Sequence, residues 1–261
     1  MKKLSFVVVM LAICTMMFVG CGRKDGVKVI TDNAQPHLMP LSLFPPMNDS
    51  IRKVYEEMGG IPSSISVIYL HKDGKDILFD TGMGADDSQL IPALKKMRLS
   101  PEDIDYIFIT HTHKDHIGGL VDEGAVIFPN AEVYVPMREW QVFSDTTKHK
   151  KNKYYYEIAD GYRDRLRIFN VHDSLPCAIE ALPAYGHTYG HTIYSFDDCL
   201  IVGDLMHAPD LQLQYPQCCA MYDENKAFAA KTRRSIIDMA RNKKLKMYGM
   251  HFPGTEPIIL Q

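Results

Sequence analysis

The pattern of apolar and polar positions predicts a chain in which strands and helices alternate. Helical spacing predicts helices over residues 88–97, 138–143 and 224–241. This mixed order indicates an α/β chain of the α+β kind, with two sheets packed face to face and helices outside. Apolar runs typical of strands occupy residues 27–31, 65–71, 76–79, 132–135, 166–171, 179–182, 193–196 and 200–202.

Length, charge and cysteine content narrow the class of protein. The chain has 261 residues and a formal net charge of −3. Residues 22–261 suit a single domain with a large core. Because there is no basic excess and no arginine-rich stripe, we expect no nucleic-acid partner. The four later cysteines lack the Cys-x-x-Cys spacing of structural zinc sites, so buried free thiols are the simplest expectation and a disulfide stays open. They are Cys177, Cys199, Cys218 and Cys219.

The first 21 residues resemble a bacterial lipoprotein signal peptide. Lys2 and Lys3 precede an apolar run over residues 4–19, which ends at Gly20 and Cys21. The run is short for a membrane span, which needs about 20 apolar residues. We therefore expect cleavage before Cys21, lipid attachment to it, and a membrane-anchored protein that faces the periplasm or the cell exterior. An uncleaved or ordinary signal sequence is the alternative.

The most informative stretch is residues 111–116, His-Thr-His-Lys-Asp-His, directly after an apolar strand-like run. In extended chain His111 and His113 point the same way, because side chains alternate with period two. Asp115 and His116 follow where the chain turns into a short helix, so they face another direction. Imidazole and carboxylate are ligands of catalytic zinc sites, and one such loop can serve two adjacent metals. The alternative is a polar turn that caps the next helix.

Three later residues repeat the arrangement of a strand followed by a ligand type. His187 lies in a glycine-flanked loop, Asp204 ends the apolar run over 200–203, and His251 follows the run over 247–250. Each alone is typical of an ordinary polar loop residue. Together with the hexapeptide they predict one metal site at the edge of a sheet.

In this order, these motifs resemble the metallo-β-lactamase fold. The similarity runs from Val27 to Pro253 and includes the stretch 78–82, Leu-Phe-Asp-Thr-Gly. The resemblance implies a four-layer αββα sandwich and a dinuclear site. It also implies that Asp80 accepts the remaining N–H of a ligand histidine. The implied ligands are His111, His113 and His187 for one metal, Asp115, His116 and His251 for the other, and Asp204 as the bridge.

Within that family the segment after Asp204 is similar to methyl parathion hydrolase and to certain acyl-homoserine-lactone lactonases. Many lactonases of the fold have a tyrosine three residues after the bridging aspartate, where this chain has His207. Flavodiiron proteins have a glutamate at the position of His113, so the resemblance disfavours a redox protein. The bridging aspartate also disfavours β-lactam hydrolysis, since true β-lactamases of the fold generally lack it.

These observations predict an exported hydrolase of a lactone, ester or phosphotriester with two divalent metal ions, zinc being the expected metal. Asp115 or His207 is the candidate proton donor to the leaving group. The alternatives are a thioester hydrolase, a mononuclear-iron sulfur-oxidising relative of the fold, and a non-catalytic binding protein. The oligomeric state stays open.

Two segments are candidates for the substrate entrance, and their aromatic residues predict a small, apolar substrate. Residues 37–47 are rich in proline, leucine and phenylalanine and either cover the core or line a pocket. Residues 148–156 are either a solvated loop that leads into an amphipathic helix or a lid.

Overall fold

A computed structural model describes residues 23–45, 47–145, 147 and 153–261. The predicted leader over residues 1–21, including Cys21, lies outside the described residues. Within the described part, no helix combines the length and apolar character that crossing a membrane requires.

The strands of the described residues agree closely with the apolar runs of the sequence, and short strands are added between them. In chain order they are β1 (Gly26–Thr31), β2 (His37–Met39), β3 (Ile61–Ser63), β4 (Ser66–Lys72), β5 (Lys75–Phe79), β6 (Tyr106–Phe108), β7 (Val121–Asp122), β8 (Ala125–Val126), β9 (Glu132–Pro136), β10 (Leu166–Phe169), β11 (Glu180–Pro183), β12 (Thr192–Phe196), β13 (Cys199–Gly203), β14 (Lys246–Gly249) and β15 (Ile258–Ile259).

The helices include the three that the sequence predicts. In chain order they are α1 (Asp49–Glu57), α2 (Leu90–Lys96), α3 (Lys114–Ile117), α4 (Met137–Phe143), α5 (Lys153–Gly161), α6 (Pro209–Gln212) and α7 (Lys226–Lys243). The longest, α7, begins where the Asn225 side chain accepts a hydrogen bond from Phe228 N at 3.0 Å. It ends at Lys244, which adopts left-handed backbone angles (φ 52°).

Two sheets form the middle of the protein. The first has the strand order β1-β4-β5-β6-β9-β10, and the second has the order β11-β12-β13-β14-β15. The faces of β5 explain their packing, because side chains alternate along a strand. Phe79 points between the sheets, where its ring lies 5.4 Å from that of Tyr194 and 5.7 Å from that of Phe196 in β12. Leu78 points to the outer face.

Helices cover both outer faces and complete the four-layer αββα order. Leu78 packs in one cluster with Leu94 of α2 and Ile158 of α5. On the other side, Ile237 of α7 packs in a cluster with Val202 of β13. The predicted fold class, an αββα sandwich of the metallo-β-lactamase type, is therefore confirmed.

The segment between β1 and β4 is the part of the fold that the sequence pattern misses. It contains the β2–β3 pair and helix α1, which begins where Asn48 accepts a hydrogen bond from Ile51 N at 2.9 Å. Only Tyr55 of this helix is buried. Its apolar residues Ile51, Val54 and Tyr55 have helical spacing, but the helix has only nine residues, fewer than the window of about 11–18 over which such a period is recognised. Met39 and Phe44 are buried here against Leu211 of α6.

Candidate metal centre

All seven predicted ligand residues lie at one edge of the sandwich, beyond the ends of strands. The hexapeptide follows β6, and Asp204 follows β13 directly. His251 comes two residues after β14, which pairs in parallel with β13. Because β13 and β14 end at the same edge, their following residues approach each other in space. The αββα topology thus brings together residues that are up to 140 positions apart in the sequence.

The first group consists of three imidazoles whose ring nitrogens face one another. His111 Nε2 lies 2.9 Å from His113 Nδ1 and 3.2 Å from His187 Nε2. His187 Nε2 lies 3.1 Å from His113 Nδ1. Two nitrogens bound to one tetrahedral zinc at 2.0–2.1 Å would be about 3.3 Å apart. The spacing of this group therefore suits three ligands of one metal ion.

The second group consists of Asp115, His116 and His251. Asp115 Oδ2 lies 3.7 Å from His116 Nε2 and 3.5 Å from His251 Nε2. Ligand atoms of these three residues lie within 4.8 Å of one another, as do those of the first group with Asp204. The two groups are therefore separate sets of candidate ligands, and they lie next to each other.

Asp204 lies between the two groups. Its Oδ2 is 3.3 Å from His187 Nε2 in the first group and 3.2 Å from His251 Nε2 in the second. Its Oδ1 is 3.2 Å from His116 Nε2. The other ring nitrogen of His251, Nδ1, donates to Ser64 O at 2.7 Å, and this hydrogen bond fixes the orientation of the ring. Among the described residues, the carboxylate of Asp204 is thus the acid that faces both groups.

Several buried polar atoms of this cluster have no hydrogen-bond partner. They include His116 Nε2, Asp204 Oδ1 and His207 Nδ1. A buried polar atom without a partner costs about 1–3 kcal/mol, and more when it is charged. The convergence of nitrogen and oxygen donors on one point, with some of them unpartnered, fits a pair of divalent cations. The chemistry of the donor set therefore supports the predicted dinuclear site.

Carboxylates and carbonyls fix the orientation of the ligand rings. His116 Nδ1 donates to Asp80 Oδ2 at 2.6 Å, where the prediction places Asp80. The same carboxylate accepts from Thr110 N at 2.7 Å. His187 Nδ1 lies 3.1 Å from Asp223 Oδ1. When Nδ1 carries the proton, the lone pair of Nε2 points into the site, which is the form that binds metal.

Asp223 and its partner Arg233 are functional residues that the sequence reasoning missed. Arg233 is 1% exposed and donates to Asp223 Oδ2 at 3.0 Å. It also donates to Leu205 O at 2.6 Å and to Pro216 O at 2.7 Å. A signal was present, because Arg233 lies on the apolar stripe of α7 between Ala229 and Ile237. A charged residue in such a stripe indicates a buried partner.

Glu139 is a second missed residue, and it joins the loops that carry the first group. The side chain is 2% exposed. Its Oε2 accepts from Thr112 N at 3.2 Å and from Thr112 Oγ1 at 3.1 Å. Its Oε1 accepts from Thr188 Oγ1 and from Gly190 N at 2.9 Å. Burial raises the pKa of Glu139, while these hydrogen bonds oppose the rise.

His207 and His191 differ in their relation to the cluster. His207 Nε2 lies 3.2 Å from Asp204 Oδ2, and its ring stacks on that of His251 at 5.0 Å. Its Nδ1 is free of protein partners. His191 instead has a structural role: Nδ1 donates to Ala184 O, and Nε2 accepts from Asp204 N at 3.0 Å. Of these two histidines, His207 alone therefore has a ring nitrogen without a protein partner, and that nitrogen is buried.

Burial lowers the pKa of some histidines of the cluster, whereas nearby carboxylates raise the pKa of others. Burial lowers the pKa of His113 to about 4 and that of His207 to about 4. Burial also lowers the pKa of His116, but the carboxylates of Asp204, Asp115 and Asp80 outweigh it and raise that pKa well above its usual value. In the metal-free protein His116 therefore binds a proton more readily than a free histidine does. That proton partly offsets the negative charge of the three carboxylates.

A cavity of about 410 Å³ opens onto the cluster. Asp115, Asp204 and His207 contribute polar lining, and Met39 and Tyr222 contribute apolar lining. Met39 is also 3% exposed and part of the core. The segment over residues 37–47 therefore fulfils both of its predicted roles, as core cover and as pocket lining.

The other entrance segment is described only in part. Residues 148–152 lie outside the described residues, and helix α5 begins at Lys153. Tyr154 of this helix lines a second cavity, which also contains His113 and Lys114. The predicted helix is confirmed at Lys153–Gly161, and the question of a lid stays a prediction.

Comparisons with known proteins agree with this geometry. A sequence model of the metallo-beta-lactamase superfamily matches residues 58–251. The protein named probable metallo-hydrolase from Methanocaldococcus jannaschii is 30% identical over 128 residues, which are 49% of this chain and 50% of that protein. A hydroxyacylglutathione hydrolase of Vibrio vulnificus is 35% identical over 103 residues, 40% of this chain and 33% of that protein.

A solved structure has the same fold. AidC, described as a dizinc quorum-quenching lactonase in complex with a product, superposes with a TM-score of 0.76 at 22% identity. The superposition covers 90% of this chain and 94% of that chain. By contrast, the chain spans about half or less of the length of the curated relatives it matches.

Proposed function

The chain belongs to the metallo-beta-lactamase superfamily, and from this we propose an exported hydrolase that uses two divalent metal ions to cleave a lactone, an ester or a phosphotriester. That the chain is a metal-dependent hydrolase of this superfamily follows from the family match and from the names of its relatives. The membership argues against the alternative of a non-catalytic binding protein. The number of metals, their identity and the substrate are parts of the proposal.

One observation carries the proposal more than any other. Members of both sets of three ligand-type side chains face a single shared carboxylate, Asp204. In a mononuclear iron site Asp115, His116 and His251 would bind no metal, yet the ligand atoms of these three residues also converge. The arrangement therefore favours a hydrolase with two metals over the mononuclear-iron alternative.

Two divalent cations in such a site supply water of lowered pKa as the nucleophile and a Lewis acid for the oxygen on which charge develops. The chain's own residues hold and orient this chemistry. His111, His113 and His187 would hold one ion, Asp115, His116 and His251 the other, and Asp204 both. Asp80 and Asp223 keep two of the rings in the correct tautomer. No serine or cysteine nucleophile is then required.

His207 and Asp115 are the candidates for contact with the reacting part of the substrate. Both line the cavity. The unpartnered Nδ1 of His207 can hydrogen-bond an oxygen of the substrate or of its leaving group. The Asp115 side chain is 24% exposed, so its carboxylate borders both the ligand cluster and the open cavity. The unpartnered ring nitrogen favours His207 as the residue that assists the leaving group.

The substrate class rests on the cavity and on the solved neighbour. The cavity of about 410 Å³ has the size of a small-molecule site and is lined by both polar and apolar side chains. AidC is described with N-hexnoyl-L-homoserine, the product of a lactone. These facts support a small substrate with an apolar part and a hydrolysable carbonyl.

A thioester is the second candidate substrate. Several relatives are named hydroxyacylglutathione hydrolase, with 28–35% identity to this chain. The matches cover only 33–45% of those proteins, so the activity of the whole relatives does not transfer with them. The substrate panel below therefore includes a thioester.

Purified protein stripped with a chelator and reloaded with zinc tests the proposal. The panel contains a lactone, an aryl ester, a phosphotriester and a thioester. We expect turnover of one of the first three that disappears with chelator, returns with zinc and is lost in His111→Ala. His172→Ala, at an exposed histidine away from the cluster, serves as the matched control. A zinc-loaded protein that hydrolyses none of the four would overturn the proposal, and faster thioester cleavage would select the second candidate.

Export and lipid anchoring on Cys21 form a separate part of the proposal. The support is the basic start at Lys2 and Lys3, the apolar run over 4–19, and the small residue before the cysteine. Mass spectrometry of the mature N-terminus tests it. A lipid-modified Cys21 is the expected result, and an unmodified residue at the mature N-terminus would contradict it.

A further inference from the structure

A second cavity adjoins the one at the ligand cluster. It has a volume of about 300 Å³ and shares His113 and Lys114 with the first cavity. The two cavities therefore meet at the hexapeptide itself. A molecule whose reacting carbonyl lies at the ligand cluster can place an adjacent group in this second cavity, past Lys114.

The walls of the second cavity are mainly apolar. Ile117 of α3, Val142 and Phe143 of α4, and Tyr154 of α5 line it. Polar side chains, among them Thr112, Lys114 and two glutamates, line the remainder. Apolar walls of this kind are typical of sites that bind the hydrocarbon part of a ligand. The shape and chemistry of the second cavity thus suit an apolar arm of a substrate.

Lys114 is the cation of this cavity, and among the described residues no carboxylate pairs with it. Its ammonium group lies 5.8 Å from the centre of the Tyr154 ring. The lysine is exposed, and unlike Lys72, which lies 2.8 Å from Asp197, and Lys75, which lies 2.7 Å from Asp105, it forms no ion pair with a described carboxylate. A lysine at the junction of two cavities, without an acidic partner, is free to bind an anionic group.

Two glutamates also line the second cavity, and neither is placed to neutralise Lys114. The carboxylate of Glu139 accepts four hydrogen bonds from the ligand-bearing loops. Glu224 lies where the second cavity meets a third one, which does not contain Lys114. The two carboxylates therefore leave Lys114 without an ion-pair partner in the described part of the chain.

We infer that the second cavity binds an apolar substrate arm that bears a carboxylate, and that Lys114 determines this preference by binding the carboxylate. The inference rests on the proposed function and narrows its substrate class to anionic esters or lactones. Lys114 acts on specificity, because it binds a part of the substrate that does not react. A charge-assisted hydrogen bond of this kind gives about a tenfold preference for the anionic ligand.

A matched pair of aryl esters tests the inference by kinetics. The 4-nitrophenyl esters of hexanoic and adipic acid have acyl arms of equal length, and only the second ends in a carboxylate. We expect the wild type to have about tenfold higher kcat/KM for the adipate ester. Lys114→Met removes this preference, Lys114→Glu reverses it and Lys114→Arg retains it. Lys95→Met, at an exposed lysine of α2, keeps the wild-type ratio.

Binding of unreactive analogues separates this inference from the proposed function. The two esters are replaced by the corresponding ketones, and their dissociation constants for the zinc-loaded protein are measured by calorimetry. Tighter binding of the carboxylate ketone to the wild type, lost in Lys114→Met, supports the inference even if neither ester is turned over. Equal dissociation constants in the wild type, or a ratio unchanged in Lys114→Met, would overturn it.

Discussion

Asp204 Oδ1 and His116 Nε2 face each other at 3.2 Å, both buried and neither with a hydrogen-bond partner. His116 Nδ1 already donates its proton to Asp80. Unless a proton takes the place of a cation on Nε2, as the raised pKa of His116 indicates for the metal-free protein, that nitrogen presents a lone pair to a carboxylate oxygen, and two acceptors at this distance repel. A cation relieves the repulsion. The pair is the clearest mark of a metal centre in the described residues.

His207→Ala tests the role of the ring that stacks on His251. We expect the variant to bind as much zinc as the wild type, because His207 is outside both ligand sets. The loss of a hydrogen bond to the substrate or leaving group lowers kcat about 10²–10⁴-fold. Zinc content by atomic spectroscopy and steady-state kinetics on the best substrate give both readouts. Unchanged kinetics would show that His207 does not contribute to turnover.

Asp80→Asn tests the orientation of His116. Asp80 has a φ of 60°, a backbone conformation that asparagine tolerates, so the substitution removes charge without straining the backbone. Loss of the charged acceptor weakens the ligand set, and we expect zinc affinity to fall about 10–100-fold. Competition with a chromophoric chelator measures it. Affinity equal to the wild type would show that Asp80 does not orient the ring.

Arg233→Met tests the buried pair behind His187. The substitution leaves Asp223 as an uncompensated buried charge and frees the carbonyls of Leu205 and Pro216. Breaking such a pair from one side costs about 3–5 kcal/mol of unfolding free energy. Urea unfolding measures the loss, with Arg234→Met on the same helix as the matched control. A loss below about 1 kcal/mol would argue that Asp223 is stabilised by other groups.

Ser100→Ala tests a pH-dependent contribution far from the metal centre. Ser100 N and Oγ donate to Asp103 Oδ2 at 2.7 Å and 2.9 Å, and these hydrogen bonds lower the pKa of Asp103. Because the folded pKa is lower than the unfolded value of about 3.9, the contribution is complete above that pH. It is lost as pH falls through the folded pKa.

The expected difference between wild type and Ser100→Ala is about 0.5–1 kcal/mol at pH 7, since the backbone hydrogen bond to Asp103 survives in the variant. Below the folded pKa of Asp103 the difference shrinks towards zero. Chemical unfolding at several pH values measures it. A difference that grows on acidification would contradict the direction of the Asp103 pKa shift.

The sequence predicts the convergence of these residues because each ligand-bearing segment follows its own strand. The hexapeptide, the Asp204 loop and His251 are each recognisable locally, as an apolar run that ends in a ligand type. The sheet order then brings them together. Strand positions are equally local, which is why the apolar runs match the strands closely.

What the sequence does not reveal depends on contacts between distant segments. Glu139 meets Thr188 across 49 positions, and Asp223 meets His187 across 36. No periodicity or spacing relates such pairs. Helix α1 was missed for another reason: its apolar residues have helical spacing, but its nine residues are fewer than the window of about 11–18 over which such a period is recognised.

Anomalous X-ray diffraction from zinc-loaded crystals tests the central claim most directly. We expect two peaks about 3.5–4 Å apart, one beside His111, His113 and His187, the other beside Asp115, His116 and His251, with Asp204 in contact with both. Ligand distances should be about 2.0–2.2 Å. A single peak, or peaks that leave Asp204 uncoordinated, would contradict the assignment of a dinuclear centre.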